Sequence, residues 1–125
     1  MKNKIKIITL CLIFSITLIG CSSLNSNANN TVIKEIGSPD GDYTAFCFIR
    51  DLGATTKASY QLSILNKGEK LGDTTGNVFI TYGEFDVEWD GNSDLIVNIK
   101  DDEEIFKKLE QYKGIQIKYE TLEKK

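Results

Sequence analysis

The chain contains no histidine, one proline, one methionine and one tryptophan among 125 residues. Without histidine there is no imidazole to serve as a general base near neutral pH, and zinc loses its commonest nitrogen ligand. Nothing reads as GxSxG, CxxC, a phosphate-binding glycine loop or a dinucleotide fingerprint. The longest apolar run, residues 7–20, is well short of the roughly 20 residues a helix needs to span the hydrocarbon. With one cysteine beyond residue 21, the remainder of the chain has no pair for an internal disulfide.

What is present begins with Lys2, Lys4 and Lys6, followed by IITLCLIFSITLIG. A basic start followed by a short apolar run has the layout of a secretory signal. It ends in Leu18-Ile19-Gly20-Cys21, which resembles the lipobox of bacterial lipoproteins. The resemblance implies a diacylglyceryl thioether on Cys21, cleavage between Gly20 and Cys21, and a chain held by lipid at the extracytoplasmic face of the cell membrane. Two acyl chains anchor stably where one does not.

Cleavage there leaves residues 21–125, enough for one small domain. Removal of the three leader lysines leaves 12 basic against 18 acidic residues, a net charge of −6. So acidic a chain, with no basic stripe, is a poor nucleic-acid binder. Residues 21–30, CSSLNSNANN, are uncharged and aperiodic and read as a flexible tether. The single β-rich domain is expected over residues 31–125.

Short alternating runs fill that domain. Strands are expected over 32–36, 42–50, 60–65, 78–82, 85–89, 95–99 and 115–119. Ser38-Pro39-Asp40-Gly41 is a turn signal. In 42–50, Tyr43, Ala45, Cys47 and Ile49 share one face and Phe46 and Phe48 the other, as in a central strand covered on both sides. Cys47 is expected to be a buried core residue. Residues 101–114 carry Ile105, Leu109 and Tyr112 at helical spacing, with Glu103–Lys107 and Glu104–Lys108 as i,i+4 pairs and Gly114 at the close. A short C-terminal helix is expected there, with a strand as the alternative. The expected fold is mainly β, an antiparallel meander of about seven strands forming one twisted or curled sheet.

The SPDG-x-Y hairpin and FDVEWDGNSDLIV resemble one blade of a β-propeller, but the chain has room for little more than one blade. Across 37–120, the stretches SPDGDYTAFCFIRDLGATT, SYQLSIL, GNVFI, FDVEWDGNSDLIV and GIQIKYE resemble a family of small lipoproteins of low-GC Gram-positive bacteria, a domain of unknown function. That resemblance implies a lipoprotein with a β-fold and brings no ligand or catalytic residue.

Three stretches are candidate sites. Glu84, Asp86, Glu88 and Asp90 alternate with Phe85, Val87 and Trp89, which sets four carboxylates on one strand face. Such a face is ordinarily solvated; alternatively, its paired carboxylates clamp a cation, a basic partner or a sugar. Asp90, Asn92 and Asp94 have the spacing that opens a calcium loop, but Leu95 stands where that loop needs glycine, and a hairpin turn is expected instead. The loop carrying Arg50, Asp51, Gly53, Thr55 and Thr56 presents small and hydroxyl residues between strands and is the preferred recognition loop; Arg50 and Asp51 are placed to pair at its base. No metal or cofactor is expected. The favoured function is a non-catalytic accessory or binding module that meets an envelope protein or extracellular ligand. The alternative is an envelope hydrolase using carboxylates of the 84–90 strand.

Overall fold

The structure, a computed structural model, describes residues 29–53 and 55–122. The expected signal peptide over 1–20, with Gly20, and most of the expected tether, with Cys21, lie outside the described residues. Among the described residues there are nine strands and no helix: β1 (Asn29–Gly37), β2 (Tyr43–Asp51), β3 (Ser59–Asn66), β4 (Phe79–Thr81), β5 (Phe85–Trp89), β6 (Asp94–Ile99), β7 (Ile105–Lys108), β8 (Gln111–Tyr112) and β9 (Ile115–Thr121). They form two sheets, ordered β1-β2-β3-β4-β7 and β5-β6-β9-β8. The mainly β class holds, whereas the single sheet of about seven strands gives way to a two-sheet arrangement.

Sequence alternation builds the core between the sheets. Ala45 and Cys47 of β2 pair with Ile64 and Leu62 of β3, and their inner faces meet Val87, Leu95, Val97, Ile115 and Ile117. Phe79 and Phe85 lie edge to face, 4.9 Å apart. Each fully buried side chain of this kind contributes about 1.5–3 kcal/mol.

The opposite face of β2 is also covered. Phe46 and Phe48 pack with Leu71 and Leu65, under the connection over residues 67–76. Buried polar groups of β3 hold that cover: Gln61 Oε1 accepts the Gly76 N–H at 2.6 Å and Ser63 Oγ accepts the Asn77 N–H. Asn77 Oδ1 accepts the Ile64 N–H and its Nδ2 donates to Ile64 O, so one amide side chain continues the sheet ladder.

Turns follow the residues that favour them. Gly41 N–H donates to Ser38 O and Gly41 takes φ 78°, closing the β1–β2 hairpin. Asp90 N–H donates to Asp94 O at the β5–β6 turn, with Gly91 at φ 95°. Asp90, Asn92 and Asp94 therefore belong to a hairpin turn.

Residues 101–114 are not helical. β7 pairs with β4, and β8 forms a hairpin with β9. Lys113 and Gly114 take φ 49° and 79° between the paired Tyr112 and Ile115, the backbone of a two-residue hairpin turn. Gly114 thus serves that turn rather than a helix end. Neither i,i+4 pair forms: Glu103 meets Lys57, Lys107 donates to Gly76 O, and Lys108 lies over the Tyr119 ring. The open edge of β4 offers a backbone ladder that outweighs the weak helical preference of this segment.

The same segment explains the one departure from antiparallel pairing among the described residues. β9 runs parallel to β6. Parallel neighbours need a crossover of a dozen or more residues, which residues 100–114 supply.

Candidate functional site

A groove lies beside the free edge of β5, lined by residues of both sheets. Its first hollow, about 420 Å³, is lined by Ile33 and Lys34 of β1, Cys47 and Ile49 of β2, Tyr60 of β3, Glu84, Phe85 and Asp86, and Lys100. A second hollow, about 450 Å³, shares Ile49, Tyr60 and Glu84 with it and continues past Lys57, Tyr82, Gly83, Asp101 and Glu103.

A β-bulge shapes the first hollow. Val32 pairs with Phe48 and Lys34 with Cys47, leaving Ile33 as the extra residue. Period two would send Val32 and Lys34 to the same face; the inserted residue breaks that rule. Val32 stays on the Phe48 side, while Ile33 and Lys34 both line the groove. Ile33 remains about half exposed there.

Lys34 and Asp86 close the free edge of β5. Lys34 Nζ lies 2.6 Å from Asp86 Oδ1 and donates to Val87 O at 3.0 Å, while Asp86 Oδ1 also accepts the Val87 N–H. Two side chains thus serve backbone groups that another strand would otherwise pair. Further along, Trp89 Nε1 donates to Ile36 O and ties β5 to β1. The hydrogen bond from Lys34 lowers the Asp86 carboxyl below its ordinary range, against a smaller desolvation effect.

Tyr60 stands between the hollows, its hydroxyl donating to Glu84 Oε1 at 3.2 Å. Burial, and secondarily the charge on Glu84, raises its pKa. Burial pushes the Cys47 thiol up to about 12, with Asp86 adding to the shift and Lys34 opposing it. A thiol so placed is not a nucleophile at neutral pH. In the second hollow, Lys57 Nζ lies 4.9 Å from the centre of the Tyr82 ring and 3.5 Å from Glu103 Oε2. Phe106 packs edge to face on Tyr82.

The structure divides the four carboxylates of the 84–90 strand. Glu84 and Asp86 line the groove, whereas Glu88 and Asp90 are exposed and outside it. The loop expected to serve recognition is divided as well. Asp51 Oδ1 accepts the Gly53 N–H, Thr56 N–H donates to Gly53 O, and Thr55 and Thr56 are exposed. Ala54 lies outside the described residues. Arg50 does not pair with Asp51. Its side chain lies on the Phe46–Phe48 face, where NH1 donates to Asn30 Oδ1 at 2.9 Å and reaches Asp73 at 3.3 Å. Asn30 Nδ2 in turn donates to Gly72 O and Thr74 O. Asn29 and Asn30, expected to be tether, are instead the start of β1, paired with Asp51 and Arg50 of β2, and the 67–76 cover gives the Asn30 side chain further partners.

Ile33, Lys34, Tyr60, Tyr82 and Lys100 were not legible as site residues. One signal existed: Val32-Ile33 interrupts the alternation of TVIKEIG and marks the bulge. Among the described residues, no group of three His, Cys, Asp or Glu side chains is arranged to hold a metal ion. Comparison of the chain with protein-family models, with curated proteins and with solved structures found no match.

Proposed function

We propose that this chain is an extracytoplasmic lipoprotein, cleaved after Gly20 and anchored by lipid on Cys21, whose β-domain is a non-catalytic binding module working through the groove between β1 and β5. The lipobox-like Leu18-Ile19-Gly20-Cys21 and the resemblance of stretches within 37–120 to small Gram-positive lipoproteins support the anchor. The observation that carries the binding reading is the groove itself: an open channel with Ile33 and Ile49 in its lining and a rim of lysines and carboxylates. Half-exposed Leu52, at the base of the recognition loop, adds apolar surface for a protein partner.

Glu84 and Asp86 lining one hollow favour the hydrolase as the rival reading. A glycosidase acid needs a raised carboxyl pKa, and that of Asp86 moves down. Two experiments test the proposal. Cys21→Ala should abolish lipid labelling and leave an unprocessed precursor; normal processing of the variant refutes the anchor. A photo-crosslinker at Ile33 or Tyr82 in intact cells should capture one defined envelope partner, while the same group at Glu88 captures none. Equal capture from all three, or none, refutes the groove as the binding site. Glu84→Gln that abolishes hydrolysis of an envelope polymer supports the rival.

A further inference from the structure

The second hollow has a chemical preference of its own. The carboxylates of Glu84 and Glu103 line it beside the ammonium of Lys57. Tyr60 and Tyr82 line it as well, and an aromatic face attracts a cation by its negative quadrupole. The chain itself supplies a trial ligand. Lys57 extends from the exposed recognition loop, and its ammonium rests over the Tyr82 ring within reach of Glu103. The ion pair is a weak one: it is 3.5 Å long, and the Lys57 and Glu103 side chains are 59% and 47% exposed. Exposed pairs of this kind are readily exchanged.

We propose that this hollow is a seat for a lysine or arginine side chain of a protein segment bound in the groove, and that Lys57 occupies the seat in the unbound chain. The proposal rests on the groove being a binding site and adds the chemistry of what enters it. A guanidinium suits the seat well, since its flat face stacks on tyrosine while its edge pairs with carboxylates.

The test uses the full chain in detergent, followed by NMR. The probes are the tripeptide acetyl-Gly-Arg-Gly-amide and its citrulline counterpart, which has nearly the same shape without the charge. The arginyl peptide should shift the Tyr60 and Tyr82 ring signals saturably and bind about tenfold more tightly than the citrulline peptide. Lys57→Ala empties the seat and should tighten arginyl binding several-fold, while Glu103→Gln should weaken it. Lys70→Ala makes the same change of charge in the cover over the opposite face of β2 and should leave binding unaltered. Equal binding of the two peptides, absence of saturable shifts, or equal gains from Lys57→Ala and Lys70→Ala would each overturn the proposal. Defined crosslinks from Ile33 together with equal peptide binding would overturn the cation seat alone and leave the groove as a binding site. Loss of the crosslinks as well would remove both.

Discussion

Lys34 of β1 and Asp86 of β5 are 52 residues apart in sequence and 2.6 Å apart in space. Together they satisfy both backbone groups of Val87 on the free edge of β5. The pair is about 35% and 46% exposed, so its Coulomb part is small, under about 1 kcal/mol. Its larger role is to replace a missing strand.

Asp86→Ala is therefore expected to cost about 1–2 kcal/mol at pH 7, because the Val87 N–H loses its acceptor. Asp86→Asn keeps an acceptor and should cost less. The Asp86 carboxyl is held below its ordinary pKa of 3.8, so its stabilisation is fully present above that value. That stabilisation disappears as pH falls through the lower, folded-state value. Denaturant titrations should show wild type and Asp86→Asn converging in the acid range and separating above about pH 5. A gap that persists unchanged in acid speaks against the pair.

Arg50, the one arginine of the chain, is a structural anchor. It joins Asn30 of β1 to Asp73 in the cover over Phe46 and Phe48. Arg50→Met should cost about 1–3 kcal/mol and open residues 67–76 to limited proteolysis. Partner crosslinking from Ile33 should be retained in whatever fraction stays folded. Loss of partner capture with unchanged stability would return Arg50 to the recognition loop.

Cys47 is 2% exposed with its thiol pushed up to about 12. Maleimide at pH 7.5 should leave it unmodified in the native chain and label it within minutes in guanidinium, as read by peptide mass spectrometry. Prompt native labelling would mean that the floor of the groove opens to solvent.

Gly83 lies where the chain crosses from the first sheet to the second. A Cβ there would sit 2.6 Å from Asp101 O, a backbone atom. Gly83→Ala should destabilise the fold by about 1–3 kcal/mol and push apart the 82–84 and 100–104 segments that wall the second hollow. A melting curve measures the loss, and weakened arginyl-peptide binding measures the displacement. An unchanged melting temperature would show that the two segments separate without cost.

Local features were legible because local chemistry decides them. Alternation in 43–50 and 60–65 placed Cys47, Leu62 and Ile64 inside, and Pro39 with Gly41 marked the first turn. Lys113-Gly114 before the alternating Ile115, Ile117 and Tyr119 was a hairpin signal outweighed by the helical spacing of Ile105, Leu109 and Tyr112. The loop over 51–58 was recognisable as a loop, but its lysine rather than its threonines lines the second hollow.

The sequence by itself determined the β class, most strand positions, the buried state of Cys47 and the alternation of Glu84 and Asp86 with Phe85 and Val87. These depend on which neighbours along the chain are apolar and which turn residues separate them. Only the tertiary structure decided that β9 lies parallel to β6, that Arg50 turns to Asp73, and that Lys34 reaches Asp86. The first and third depend on which backbone edge remains open once the sheets stack, and the second on where the 67–76 cover lies; both are properties of the whole assembly. The groove belongs to this second group: a bulge at Ile33 and an unpaired β5 edge create it, and no single stretch of sequence contains both.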